Sequence, residues 1–180
     1  MDITTQVIAL IGSSGSGKTT LLEYLVSNLS MKGFQIGTAK HIHHGDFTID
    51  TPGKDTWRHA QAGARTVIAV STDEVAIIQK TKDLQEDLTS VLKLFDTKID
   101  MIFLEGLHTL VLQRNDVYKI ITASTVSDAK LRLSGVRPPI LAVSGKVARR
   151  VTRIPGTPIP VLDVTRSGRE LVKIVERIIV

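Results

Sequence analysis

The stretch Gly12-Ser13-Ser14-Gly15-Ser16-Gly17-Lys18-Thr19 stands between a short apolar run, residues 7–11, and a longer amphipathic run that begins at Thr19. It fills every fixed position of G-x-x-x-x-G-K-[ST]. Glycines free the backbone to curl until successive N–H groups point inward, which makes a cradle for phosphate oxygens. A helix opening near Lys18 adds the positive end of its dipole. Lys18 is placed to reach the β- and γ-phosphates of a nucleotide, the Thr19 hydroxyl to ligate Mg²⁺, and Thr20 to support the loop. With average residue usage, a chain of this length holds such a match by chance roughly 0.6% of the time. The flanking strand and helix make chance rarer still. The chain is read as a binder of nucleoside tri- or diphosphates.

The pattern continues outward from that loop. Leu21, Leu22, Leu25, Val26 and Leu29 recur at helical spacing over residues 19–31, and Gly33 supplies a stop. Residues 34–39 read as a second strand. Residues 66–70 and 75–79 read as a β-hairpin turning at Thr72-Asp73. Residues 83–95 read as a helix with Leu84, Leu88, Val91, Leu92 and Phe95 on one face. Strands follow at 101–104, 118–122 and 140–143, and residues 167–180 close the chain as a helix with Ser167 as N-cap. Strands alternating with helices predict an α/β fold of three layers, a mostly parallel sheet with helices on both faces. Ligands of such sheets sit beyond the carboxyl ends of the strands, here after Ile11, Thr38, Leu104 and Val143. Arg137-Pro138-Pro139 and residues 155–160 read as rigid connections inside one nucleotide-binding domain spanning residues 1–180.

A bound Mg²⁺ calls for a carboxylate at the end of a neighbouring strand. In Asp100-Met-Ile-Phe-Leu-Glu105-Gly106, Asp100 precedes the apolar run and Glu105 ends it, so Glu105 is assigned to the metal shell or to orienting water. Composition narrows the rest. Hydrophobic residues make up 42% of the 180 and charged residues 23%, which supports a real core and excludes a disordered chain. Without cysteine there are no disulfides, thiolate metal sites or cysteine nucleophiles. No apolar run is long enough to span a bilayer, and no basic-then-apolar leader opens the chain, so a cytoplasmic protein without membrane partners is expected. The net charge of +5 includes Arg132, Arg137, Lys146, Arg149, Arg150 and Arg153. It suits phosphate ligands, while only 4% aromatics disfavours a nucleic-acid surface built on base stacking.

Three of the five histidines, His41, His43 and His44, follow the second strand. They are open to three readings: zinc or nickel ligands, phosphate-binding or switching groups near the nucleotide, or a solvated polar loop. Downstream, Pro52-Gly53 marks a tight turn, Asp55 is placed to cap a helix carrying Trp57 and Arg58, and Gly63 ends that helix. Lys54 and Arg58 lie one turn apart, on one side.

The phosphate loop, the T-A-K-H-I-H-H run at 38–44, the D-T-P-G-K-D-T-W-R-H-A-Q-A-G-A block at 50–64 and L-E-G at 104–106 together resemble the MobB family, the molybdopterin-guanine dinucleotide biosynthesis protein B. The block at 50–64 discriminates, because a phosphate loop alone fits many families. Beyond Gly106 the likeness weakens: Leu107 and His108 stand where the family usually has an aromatic residue and a lysine, and residues 109–116 lack the proline often found nearby.

The resemblance implies a P-loop NTPase fold related to the dimeric GTPases of signal recognition and metal insertion. It implies a homodimer that binds GTP with Mg²⁺ and hydrolyses it slowly. It also implies an accessory role to the guanylyltransferase that joins GMP to molybdopterin, with molybdopterin or its guanine dinucleotide as a further ligand. The positions it carries over are Gly12, Ser13, Ser14, Gly15, Ser16, Gly17, Lys18, Thr19 and Thr20, then Lys40, His41, Asp50, Pro52, Gly53, Lys54, Asp55, Arg58 and Glu105, with Lys18 and Glu105 nearest the chemistry. Lys54 and Arg58 would face an anionic pterin phosphate or a neighbouring subunit's triphosphate. The residues themselves leave guanine against adenine open: no N-K-x-D sequence occurs, and Lys146 in Val143-Ser-Gly-Lys146 offers only a stem to cover a purine. A small-molecule kinase with an arginine-rich lid at 132–153, and a nickel or cobalt chaperone GTPase using the histidines, are the alternatives.

Overall fold

The computed structural model describes residues 5–42, 47–81, 87–96 and 98–179. The elements in chain order are β1 Gln6–Ile11, α1 Lys18–Ser30, β2 Ile36–Lys40, α2 Asp55–Gln61, β3 Thr66–Val70, β4 Val75–Gln79, α3 Leu88–Leu92, β5 Met101–Glu105, α4 His108–Val111, β6 Tyr118–Thr122, α5 Val126–Ser134, β7 Ile140–Ser144 and α6 Val164–Glu176. The chain divides into two compact units, one running to His41 and resuming at Leu88, the other Ile42–Asp87.

The first unit is a parallel sheet of order β2-β5-β1-β6-β7. Residues alternate across its faces, so each strand feeds two cores. Ile8, Leu10, Met101, Phe103 and Ile120 face Leu21, Leu25 and Leu29 of α1 and Leu171, Val172 and Val175 of α6. Ala9, Ile11, Ile102, Leu104, Ile121 and Val143 face Leu88 of α3, Val111 of α4 and Ala129 of α5. Leucines spaced four apart put one stripe of α1 wholly inside, each contributing about 1.5–3 kcal/mol. This is the expected three-layer arrangement. Among the described residues no helix is long and apolar enough to cross a membrane.

Three helical readings change. The run at 83–95 is helical only over Leu88–Leu92 among the described residues; Asp83 and Leu84 lie outside them. After Leu92 the backbone tightens through i→i−3 bonds from Leu94 and Phe95, which delivers the Phe95 ring to Gly37. A β-carbon there would lie 2.6 Å from that ring. The last helix starts at Val164, capped by Asp163, whose Oδ1 accepts from the N–H groups of Thr165 and Arg166, both at 3.1 Å. Ser167 is a break inside it (φ −130°, ψ 24°), because its hydroxyl accepts from the Asp163 N–H at 2.9 Å and donates to the Asp163 carbonyl. In the second unit Lys54 is the N-cap of α2 without a side-chain bond, and Asp55 is the first helical residue rather than the cap.

Lys119 is fully buried in β6, with Nζ donating to the Arg114 carbonyl and, at 2.8 Å, to the Arg137 carbonyl. Burial pushes its pKa below the usual lysine value, with the Asp116 carboxylate opposing. The side chain ties two loops to the amino end of the sheet. Lys119→Met leaves both carbonyls without that donor, and urea denaturation should show a loss of about 1–3 kcal/mol.

Candidate functional site

The turn from β1 into α1 has the form that anion binding requires. Gly15 (φ 68°) and Gly17 (φ 106°) hold left-handed backbone. Gly12 is needed for a different reason: a β-carbon there would lie 2.1 Å from Thr122 Oγ1 and 2.4 Å from the Thr122 carbonyl. Ser16 is buried beneath the turn, its Oγ bonded to the Ser13 carbonyl at 2.8 Å and to Thr122 Oγ1 at 2.7 Å. The turn is thereby clamped to the end of β6. The N-cap of α1, Gly17, has no side-chain bond, and no acidic residue stands in the first turn. Its first N–H groups therefore keep their capacity for an external anion.

Lys18 folds back over the turn, its Nζ donating to the Gly12 carbonyl at 2.9 Å and the Ser13 carbonyl at 2.8 Å. Burial lowers its pKa; the Glu105 carboxylate opposes, while Arg132 and Lys40 add to the lowering. Thr19 Oγ1 donates to Glu105 Oε1 at 3.2 Å, and Lys40 Nζ lies 3.7 Å from the same oxygen. Glu105 is 7% exposed at its side chain. Register explains the meeting, since Lys40 and Glu105 are aligned partners at the carboxyl ends of β2 and β5. His41 follows directly, its N–H donating to the Glu105 carbonyl at 2.8 Å.

A cleft of about 410 Å³ opens here, lined by Ser14, Gly15, Gly17, Lys18, Thr19, Thr20, Lys40 and Glu105 and, opposite, by Gly145, Lys146, Arg149 and residues 163–165. The residues present fit a magnesium–nucleotide ligand. Orphan N–H donors and Lys18 suit phosphate oxygens, and the Thr19 hydroxyl with the Glu105 carboxylate supplies hard oxygen donors for Mg²⁺.

Of the residues singled out from sequence, the structure brings together the whole loop at 12–20, Lys40, His41 and Glu105. Asp50, Lys54, Asp55 and Arg58 belong to the second unit. There Asp50 Oδ1 accepts from Thr51 N–H at 2.9 Å and Thr56 Oγ1 at 2.8 Å, while its Oδ2 is buried without a hydrogen bond among the described residues. Arg58 and Asp55 are 3.7 Å apart on an exposed face. Lys54 donates its backbone N–H to the Thr51 carbonyl. His43 and His44, weighed as metal ligands, lie outside the described residues.

Sequence reasoning missed Thr122 and Asp163, and held Gly145 and Arg149 only within the run at 143–146 and the basic cluster. Gly145 (φ 86°) packs on the phosphate loop, and the next residue, Lys146, donates its N–H to the Ser16 carbonyl at 3.2 Å. Asp163 directly before the amphipathic run at 164–176 was a legible capping signal. Nothing local marked Thr122, which reaches Ser16 across 106 residues.

Residues 7–136 match the family of molybdopterin guanine dinucleotide synthesis protein B, more than half of the chain. The chain belongs to the MobB family. Two relatives described as molybdopterin-guanine dinucleotide biosynthesis adapter proteins support the assignment. The one from Escherichia coli (strain K12) is 40% identical over 102 residues, 56% of this chain and 58% of that protein. The one from Haemophilus influenzae is 37% identical over 101 residues, 56% of each. The matched stretch thus spans little more than half the relatives' length. The fold is that of MobB crystal structures. One, of molybdopterin-guanine biosynthesis protein B, superposes with a TM-score of 0.71 at 19% identity, covering 96% of this chain and 98% of that one. Bacillus subtilis MobB gives 0.71 at 22%, covering 96% of each.

Proposed function

We propose that this MobB-family chain is an accessory protein of molybdopterin guanine dinucleotide formation. In this reading it binds GTP with Mg²⁺ in the cleft above α1 and hydrolyses it slowly. The observation that carries the reading is the contact of Thr19 with Glu105 beside the uncapped first turn of α1 and Lys18. Bound Mg²⁺ would supply charge neutralisation between phosphate oxygens. The chain's own residues bind and orient: the loop N–H groups hold the phosphates, Lys18 leaves its two carbonyls for the triphosphate, and Glu105 positions Thr19. No arginine is hydrogen-bonded to the loop among the described residues, which fits slow turnover and a need for help from a partner.

The partners in this reading are the guanylyltransferase that joins GMP to molybdopterin, and molybdopterin itself as a second ligand. A homodimer is part of the proposal. The β3–β4 hairpin supports it, because Ile68 pairs with Ile77 and Val70 with Val75 on one face, and all four are more than half exposed.

Calorimetric titration with GTP tests the reading, in magnesium and in EDTA, on wild type and Glu105→Gln. Wild type should bind about 10–100-fold tighter with magnesium, corresponding to roughly 1.4–2.7 kcal/mol. Glu105→Gln should lose most of that increment while keeping magnesium-independent binding. Equal affinity with and without magnesium in wild type would overturn the metal assignment.

A further inference from the structure

The cleft has a direction. Thr19, Glu105 and Lys40 define the end where metal and terminal phosphate belong, on the β5–β2 side of β1. The nucleoside must run the other way, past β6 and β7. Beyond β7 one more segment joins in parallel, through the Val143–Val161 bridge and the bond from Leu162 N–H to the Val143 carbonyl. Three strand spacings separate β1 from that segment, about 14 Å, which is the reach of a nucleoside phosphate. At its end stands Asp163.

Asp163 lines the same cleft, and its side chain is only 8% exposed. Its Oδ1 is committed to capping α6. Its Oδ2 accepts no hydrogen bond among the described residues; Arg149 Nε is 4.0 Å away, Arg166 Nε is 3.7 Å from Oδ1, and both arginines are largely exposed. A buried carboxylate with one oxygen fixed by the backbone and the other open to the cleft is a rigid acceptor. An exposed ion pair at that distance holds Arg149 weakly, so a ligand displaces it at small cost.

We propose that Asp163 reads the purine, selecting guanine by accepting at Oδ2, on its two lone pairs, the hydrogen bonds of N1–H and the 2-amino group. This rests on the nucleotide reading of the cleft and deepens it. Guanine presents two adjacent donors on that edge. Adenine presents the N1 acceptor, which would leave two buried acceptors facing one another unpaired. The role usually given to an N-K-x-D aspartate thus falls to the cap of the last helix, in a chain that lacks that sequence.

The test is equilibrium binding of GTP, ITP, XTP and ATP, each with magnesium, to wild type and Asp163→Asn. Asparagine keeps an N-cap oxygen, so the helix start survives, and thermal melting checks this. Wild type should bind GTP about 10-fold tighter than ITP, which lacks the 2-amino donor, and at least about 100-fold tighter than ATP. Asp163→Asn replaces one acceptor by a donor. It should lose about 30-fold or more for GTP and gain affinity for XTP, whose C2 carbonyl accepts. A residue that merely capped α6 would weaken all four ligands alike. Wild-type affinities within about threefold of one another would overturn the inference while leaving the phosphate site standing, as would an unchanged preference in Asp163→Asn. If Asp163→Asn fails to fold, Asp163→Ser, which keeps a capping oxygen, should lose the GTP-to-ITP preference in the same assay, and a retained preference would overturn the inference. Failure of wild type to bind any of the four would overturn the nucleotide reading, and this inference with it.

Discussion

Lys18→Ala should lower the affinity for magnesium-bound GTP by at least about 100-fold, measured by calorimetry. The side chain now donates to the carbonyls of Gly12 and Ser13, so it sits over the cradle without touching a neighbour that fixes it elsewhere. Transferring those donors to phosphate makes charge-assisted bonds, each worth about 1.5–3 kcal/mol. Losing two of them costs about 3 kcal/mol or more, which is two decades of affinity. The pH dependence carries an independent signature. Burial and the nearby cations lower the Lys18 pKa in the free protein, and a bound triphosphate would raise it again. Binding therefore takes up a proton when pH lies between those two values, and affinity falls as pH climbs through the free-state value toward the ordinary 10.5. In Lys18→Ala that part of the pH slope should vanish. Wild-type and variant slopes that coincide at alkaline pH would contradict the assignment.

Gly145→Ala should be as damaging to the fold as Lys18→Ala is to binding. Gly145 holds φ 86° and ψ −156°, a backbone region open essentially to glycine alone, which costs another residue about 1–3 kcal/mol. Its added β-carbon would lie 2.3 Å from the Ser16 carbonyl oxygen and 3.2 Å from that of Ala123. Both are backbone atoms, so neither swings aside, and overpacking adds about 1–3 kcal/mol. A loss of about 2–5 kcal/mol in denaturant unfolding is expected. The neighbour displaced is the phosphate loop itself, so the fraction that remains folded should also bind GTP more weakly. Full stability with normal binding would show that the two loops are not packed as described.

These two residues differ in how they could be found. Lys18 sits in a motif with fixed spacing, and its chemistry is legible because the loop, its donors and its lysine are contiguous. The same holds for the hairpin: the runs at 66–70 and 75–79 are the strands observed, because alternation over five residues and a turn at Thr72-Asp73 are local facts. Glu105 was reached by one step of topology, from which end of an apolar run faces the ligand edge. The end of the chain was read less well. A serine with capping chemistry was visible at 167, yet the carboxylate at 163 takes the two N–H groups, and Ser167 turns back to bind the Asp163 backbone.

By itself, then, the amino-acid sequence determined the glycine-rich turn from β1 into α1, the alternation of strands and helices that makes a parallel sheet, and the position of Glu105 at the carboxyl end of β5. Each depends on contacts within a few residues or on the period of apolar side chains. Only the tertiary structure decided that Thr122 closes over Gly12 and Ser16, that Gly145 bears on the Ser16 carbonyl, and that Asp163 ends in the same cleft as Lys18. Those contacts join strands brought side by side across as many as 145 residues of chain, and the strand order that makes them neighbours comes from packing two faces of one sheet, which no local spacing records.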